Sequence, residues 1–156
     1  GQPILSVTTG ATLKALFIDG GRALVDGHPK EAVKKYRAAR MLCELTGLKG
    51  EGLIATIALG NAYAATQNYR AARAAFEGAR NNAAEQGRPD VEAQALFGLG
   101  FIAMLEKRWV EAKPIYQAIL KLVDEASPLH AEARRLVTAC SHEDIMHGTE
   151  SQAVRA

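Results

Sequence analysis

The chain repeats the same residue types every 40 positions. Gly20, Gly60 and Gly100 keep this step. Four further sets of residues recur at the same 40-residue interval. They are the alanines Ala32, Ala72 and Ala112, the aromatic residues Tyr36, Phe76 and Tyr116, and two sets near predicted turns, Pro29, Tyr69 and Trp109, and Gly47, Gly87 and Ser127. A fixed period of roughly 20–50 residues is typical of proteins in which each repeat packs on its neighbours. Such proteins usually present an extended surface to a partner, so the period directs the search for function toward protein interaction.

Apolar residues within each period recur at helical spacing, as Leu13, Leu16 and Phe17 do in the first. Breakers fall between these series, with Pro29 at a tolerated first-turn position and Gly87 after a helix. The sequence therefore predicts seven helices, at about residues 9–26, 29–46, 51–66, 69–86, 90–106, 109–126 and 128–142. The first six would form three antiparallel hairpins.

The repeated small residues suggest close helix packing. A glycine inside a helix costs about 1 kcal/mol relative to alanine, so its recurrence at one position indicates a packing reason. We expect each glycine to lie opposite the alanine twelve residues later, as Gly60 opposite Ala72, so that small residues meet at the helix crossing. Aromatic residues such as Phe76 would then fill the space between one hairpin and the next.

The seventh helix has no partner helix after it. Its apolar residues form one stripe, made of Leu129, Ala133, Leu136, Val137 and Cys140. The end of a repeat array exposes an apolar face, which a terminal helix with a polar outer side can cover. We therefore interpret this helix as a C-terminal cap and predict a flexible polar tail over residues 143–156.

The second repeat carries a resemblance to a known family. Leu59–Tyr63, Asn68–Ala72, Phe76 and Ala79 resemble the pattern of tetratricopeptide repeats (TPR), with Leu-Gly and Tyr in the first helix and Ala, Phe/Tyr and Ala in the second. The other two repeats match less completely, since the first has Asp19 in place of the leucine. The period of 40 exceeds the usual 34 and resembles the longer repeats of kinesin light chains and Leu-Gly-Asn-repeat proteins.

This resemblance implies an all-α fold, a right-handed α-solenoid of three TPR helix hairpins plus the C-terminal capping helix. The repeats would cover about residues 13–47, 53–87 and 93–127, and the cap about 128–142, in a single domain over residues 1–142. In TPR proteins the first helix of each pair lines a concave groove. By this analogy the groove residues that would bind a partner are Lys14, Phe17, Ile57, Asn61, Gln94, Phe97, Phe101 and Met104.

The groove residues leave two interpretations open. Phe17, Ile57 and Phe97 either form core between helices or belong to a recognition surface for an apolar peptide or helix. Hsp70- and Hsp90-binding TPR proteins share a Lys/Asn/Arg clamp for a C-terminal carboxylate. Here only Asn61 is of the right kind, and it lies in the wrong repeat. The sequence therefore favours an apolar ligand in the groove.

The sequence offers little chemistry besides binding. No catalytic set stands out, so we expect no enzyme and no cofactor. The cluster Cys140, His142, Asp144 and His147 lacks the spacing of a zinc site, and no metal is expected. The chain has 19 Lys and Arg residues against 17 Asp and Glu residues, and this small excess of positive charge does not indicate a nucleic-acid partner. A basic stretch lies in the second predicted helix and is either a solvated face or a contact for an acidic partner: Lys30, Lys34, Lys35, Arg37 and Arg40.

These observations predict a cytoplasmic, non-enzymatic adaptor or scaffold that binds a protein or peptide partner. The alternative is a small cytosolic chaperone for a secreted or membrane-active client, similar to three-TPR secretion chaperones. No apolar run reaches the roughly 18 residues of a membrane span, and no signal peptide is visible. Apolar residues within the segment Gln2–Thr9, namely Pro3, Ile4, Leu5 and Val7, could pack on a neighbouring copy, so self-association through this N-terminal face is also expected.

Overall fold

The computed structural model describes the backbone of residues 2–155 and the side chains of residues 7–147, and it is all-helical in that range. The described chain has seven helices: α1 Gln2–Val25, α2 Pro29–Thr46, α3 Lys49–Ala65, α4 Tyr69–Glu85, α5 Pro89–Leu105, α6 Trp109–Leu122 and α7 Pro128–Arg155. The chain divides into two compact units, residues 1–82 and 83–156. Consecutive helices pack together, α1 on α2 and α2 on α3 in the first unit, and α5 on α6 and α6 on α7 in the second. The predicted all-α class is confirmed.

The same backbone turn closes each of the three hairpins. A residue in the left-handed region stands at one position of the period: Gly27 (φ 80°), Gln67 (φ 63°) and Lys107 (φ 59°). The next amide donates to the carbonyl five residues earlier: His28 to Ala23 at 2.7 Å, Asn68 to Tyr63 at 3.0 Å and Arg108 to Ala103 at 2.8 Å. This bond is the 6→1 contact of a Schellman cap, which satisfies a carbonyl at the helix end. The 40-residue period is thus present in the backbone as well as in the sequence.

The nearest side chain to each of the repeated glycines Gly20, Gly60 and Gly100 is an aromatic ring of the following helix. A Cβ atom at Gly60 would lie 2.7 Å from Cε1 of Phe76, and one at Gly100 would lie 2.7 Å from Cε1 of Tyr116. Gly20 meets the ring of Tyr36 at the same distance. The expectation of glycine opposite alanine left out this ring, which needs the space that a missing Cβ leaves. The aromatic residues also pack within their own hairpins, not only between hairpins as predicted.

Several helix ends differ from the predicted ones. Helix α1 begins at Gln2 instead of near residue 9, and α6 ends at Leu122 because Val123 is extended (φ −124°, ψ 154°). The segment predicted to support self-association falls within α1; the side chains of its Pro3, Ile4 and Leu5 lie outside the described residues, and only Val7 can be described, as exposed.

Helix α7 continues to Arg155, past residue 142 where the capping helix was predicted to end. Two contacts support the longer helix. The Nε2 atom of His147 lies 3.3 Å from an Oε atom of Glu143, one turn earlier. The imidazole also stacks on Trp109, with ring centroids 6.0 Å apart and planes inclined by 10°. Because residues 142–147 contain neither Pro nor Gly, nothing in this stretch breaks the helix.

The predicted stripe of α7 faces α6. Ala133, Leu136 and Cys140 are buried, while Leu129 and Val137 are half-buried. Helix α7 packs on α6 and also contacts α5. Arg134, Arg135 and Thr138 between the stripe positions are exposed, although His130 is buried, so α7 is largely amphipathic as the sequence indicated.

Candidate functional site

Four of the eight predicted groove residues are exposed on first helices. Lys14 lies on α1, Asn61 on α3, and Gln94 and Phe101 on α5. Phe101 is the largest of them and exposes 46% of its surface. An aromatic side chain exposed to this degree is unusual unless it serves a contact, because burying it would be favourable.

The other four predicted groove residues support the hairpins. Phe17 packs on Tyr36 with ring centroids 6.1 Å apart, and Phe97 packs edge-on against Tyr116 at 5.8 Å. Ile57 is buried, with 8% exposed. The sulfur of Met104 accepts a hydrogen bond from the Tyr116 hydroxyl at 3.3 Å, and Met104 is half-buried. In these contacts they act as hairpin core, the first of the two interpretations left open by the sequence.

The exposed face of each first helix follows one register. Its positions are spaced by four, three and four residues and repeat with the 40-residue step: Lys14, Ile18, Gly21 and Val25; Ile54, Ala58, Asn61 and Ala65; Gln94, Gly98, Phe101 and Leu105. We call these twelve positions the first-helix stripes. The sequence-based selection missed Ile18, Val25 and Leu105, although the spacing of Phe101 to Leu105 is the helical signal that could have found them.

Nine of the twelve stripe residues are exposed, Gly21 and Ala58 are half-buried and Gly98 is buried, and the stripes carry almost no charge. Ile18 exposes 48% of its surface, Val25 87%, Ile54 41% and Leu105 43%. Lys14 is the single charged residue among the twelve positions. The exposed face of α2 differs, since it carries several basic residues, with Lys34 among the most exposed. In the first unit α1 contacts α3, so two of these stripes belong to neighbouring helices.

Two open clefts lie in the first unit. The larger, of about 790 Å³, lies at the turn between α1 and α2 and has a strongly charged lining. The smaller, of about 320 Å³, is lined by Lys30, Val33, Tyr63, Thr66 and Asn68. Neither cleft brings together a nucleophile, a base and an orienting group of the kind that catalysis by side chains requires.

Both cysteines, Cys43 and Cys140, are buried as free thiols in the core. Burial raises the pKa of the Cys43 thiol, and the charge of Glu51 raises it further. Burial also raises the pKa of Cys140, against the smaller opposing effect of Lys113. A reactive cysteine needs the thiolate, which burial disfavours. Among residues 7–147, no three His, Cys, Asp or Glu side chains approach each other closely enough to hold a metal ion.

Comparison with known proteins adds no family. No protein-family model matches the chain, and no curated protein sequence matches it. Within the described residues, none of the helices combines the length and the apolar character needed to cross a membrane.

Proposed function

We propose that the chain is a non-enzymatic protein-interaction module of tetratricopeptide type, an adaptor or scaffold built as a right-handed α-solenoid. The observation that carries the interaction function is the first-helix stripes, in which nine of the twelve residues are exposed and one is charged. The solenoid assignment is supported by the glycine–aromatic contact and by the hairpin turn, because both recur at the 40-residue step.

The chemistry of the stripes selects the ligand class. Ile54 in the first unit, and Phe101 with Leu105 in the second, each offer aliphatic or aromatic surface, which favours the apolar face of a peptide or amphipathic helix. Asn61 and Gln94 each carry an amide that can both donate and accept, so they suit the backbone or polar side chains of the ligand. A ligand defined mainly by carboxylates is disfavoured, because Lys14 is the only cation in the stripes.

The test begins with affinity capture and mass spectrometry, which identify partners, followed by titration of a purified partner against variants. Phe101→Ala removes an exposed aromatic side chain, and we expect it to weaken binding roughly 30-fold, in line with the loss of a hot-spot residue of about 2 kcal/mol. Lys34→Ala on the exposed face of α2 is the matched control and should stay within about threefold. Circular dichroism must show that both variants are folded.

The opposite pattern would refute the proposal. If Phe101→Ala binds normally while Lys34→Ala does not, the partner uses the second helices instead. The identity of the partner also separates the two roles that the sequence left open. A secreted or membrane-active client indicates a chaperone, and a stable cytosolic complex indicates a scaffold.

A further inference from the structure

The larger cleft of the first unit has a charge pattern that the proposed function does not use. It lies where the last turns of α1 meet the first turns of α2 and has a volume of about 790 Å³. Six charged residues line it: Asp19 and Arg22 from α1, Asp26 from the turn directly after α1, and Lys30, Glu31 and Lys35 from α2. No other cleft described above carries as many charges.

The α1 side of this cleft is charged where another first helix is apolar. Leu59 and Ala62 of α3 are buried and pack with Tyr36 of α2. Forty residues earlier in the period stand Asp19 and Arg22. Charged residues in place of apolar ones indicate that this face of α1 does not pack on an apolar helix, since burying unpaired charges there would be costly.

The charges of the cleft are largely unsatisfied within one copy. Among the described residues, Asp19, Arg22, Asp26 and Lys30 form no ion pair. Glu31 pairs within the copy with Lys34 at 3.8 Å and with Lys35 at 3.9 Å, both near the distance limit of an ion pair and between side chains that are at least one third exposed. Exposed pairs of this kind contribute little to stability, so the six charges remain able to pair with a partner.

The two sides of the cleft are complementary to each other. The α1 side presents acid, base, acid in the order Asp19, Arg22, Asp26. The α2 side presents base, acid, base in the order Lys30, Glu31, Lys35. Because α1 and α2 run antiparallel, Asp26 and Lys30 both lie near the turn, whereas Asp19 and Lys35 both lie away from it. A surface with this pattern is self-complementary about a two-fold axis that runs along the hairpin.

We propose that two copies of the chain associate face to face through this cleft, as an isologous dimer. The α1 side of each copy meets the α2 side of the other, which pairs Asp19 with Lys35, Arg22 with Glu31, and Asp26 with Lys30. Ala23 and Pro29 also line the cleft and supply the apolar part that an association of charges alone would lack.

Sedimentation velocity measures the association directly. At low ionic strength the chain should sediment with twice its 16.7 kDa mass, and higher salt should weaken the dimer because exposed charges are screened. Two reversal variants probe the interface. Asp19→Lys with Asp26→Lys makes the face almost entirely basic, and Lys30→Asp with Lys35→Asp makes it almost entirely acidic. Each alone should raise the dimer Kd by at least roughly 100-fold, because like charges then oppose each other.

Mixing the two reversal variants gives the sharpest result. An equimolar mixture should form a heterodimer, since the basic face of one variant fits the acidic face of the other. Controls with the same change of net charge use exposed residues outside the cleft, Glu44→Lys with Glu125→Lys and Lys107→Asp with Lys121→Asp. These controls should dimerise like the parent chain.

Three results would overturn the dimer. The first is a parent chain that stays monomeric at about 200 μM, a concentration well above the Kd of most stable interfaces. The second is dimerisation of either reversal variant alone with the affinity of the parent chain. The third is an equimolar mixture of the two reversal variants that stays monomeric. If a reversal variant does not fold, the milder pair Asp26→Asn and Lys30→Gln replaces it, and unchanged dimerisation of that pair would equally reject the interface. None of these variants alters a first-helix stripe, so failure of this proposal is distinguishable from failure of the proposed function.

Discussion

Each of the three glycines that match at the 40-residue step belongs to a pair with one aromatic ring. The ring of Phe76 is 1% exposed and lies where a side chain on Gly60 would begin. The ring cannot withdraw into solvent, because it is enclosed by the core. The loss of helix propensity at the glycine is therefore offset by the close packing that it permits.

Gly60→Ala and Gly78→Ala form a matched test of this explanation. Both glycines lie inside helices, but nothing lies within 4 Å of a Cβ at Gly78. We expect Gly60→Ala to lower the free energy of unfolding by about 1–3 kcal/mol through overpacking, and Gly78→Ala to raise it by about 0.5–1 kcal/mol. Urea unfolding measures both. The explanation fails if the two variants shift stability in the same direction, or if Phe76→Leu does not relieve the cost at Gly60.

At the scale of the element, α7 is the helix whose role depends most on its neighbours. It covers α6 with Ala133, Leu136 and Cys140, and its distal part is held by the stack of His147 on Trp109. The apolar residues of α6 that face it include Tyr116 and Ile119, both fully buried. Removing α7 would therefore expose buried apolar side chains of α6 to solvent.

Deletion of residues 127–156 tests the capping role. We expect the truncated chain to melt at least several degrees lower and to aggregate, because exposed apolar surface of α6 costs about 25 cal/mol per Å². Differential scanning calorimetry and light scattering measure the two effects. A truncated chain that melts with the parent and stays monodisperse would contradict the capping role.

Across the whole molecule, buried acids link stability to pH. Burial raises the pKa of Tyr36 in the first unit and of Tyr116 in the second. A raised pKa means that the folded state holds its proton more tightly than the unfolded state does. The resulting stability is fully present below the unfolded pKa of about 10 and is lost as pH rises toward the folded pKa. The buried thiols of Cys43 and Cys140 act in the same direction from about pH 8.5.

The free energy of unfolding should therefore fall on the alkaline side, with each tyrosine adding up to about 1.4 kcal/mol per pH unit above pH 10. The double variant Tyr36→Phe and Tyr116→Phe should flatten the fall above pH 10 and leave the slope between pH 8.5 and 10 unchanged. Phenylalanine fits this position, as Phe76 does in the second repeat. Urea unfolding at a series of pH values measures the slopes, and equal slopes above pH 10 would exclude the tyrosines as the cause.

The sequence predicted the helices better than it predicted their contacts. Periodicity and breakers located α2 at its observed bounds and α4 and α5 to within one residue. The contact of Gly60 with Phe76 was not predicted, because spacing along one helix does not determine which side chain of the next helix fills a gap. The extent of α7 was wrong for a similar reason, since the stack of His147 on Trp109 joins residues 38 positions apart.

The stack of His147 on Trp109 also has a spectroscopic consequence. Trp109 is the only tryptophan of the chain, so excitation at the red edge of protein absorbance selects this one indole. Its emission depends on the imidazole that lies against it, 6.0 Å away between ring centroids. Detachment of the distal part of α7, whether by heat, by a partner or by truncation, would change the emission without any added label. The protein thus carries its own fluorescent reporter for the end of its last helix.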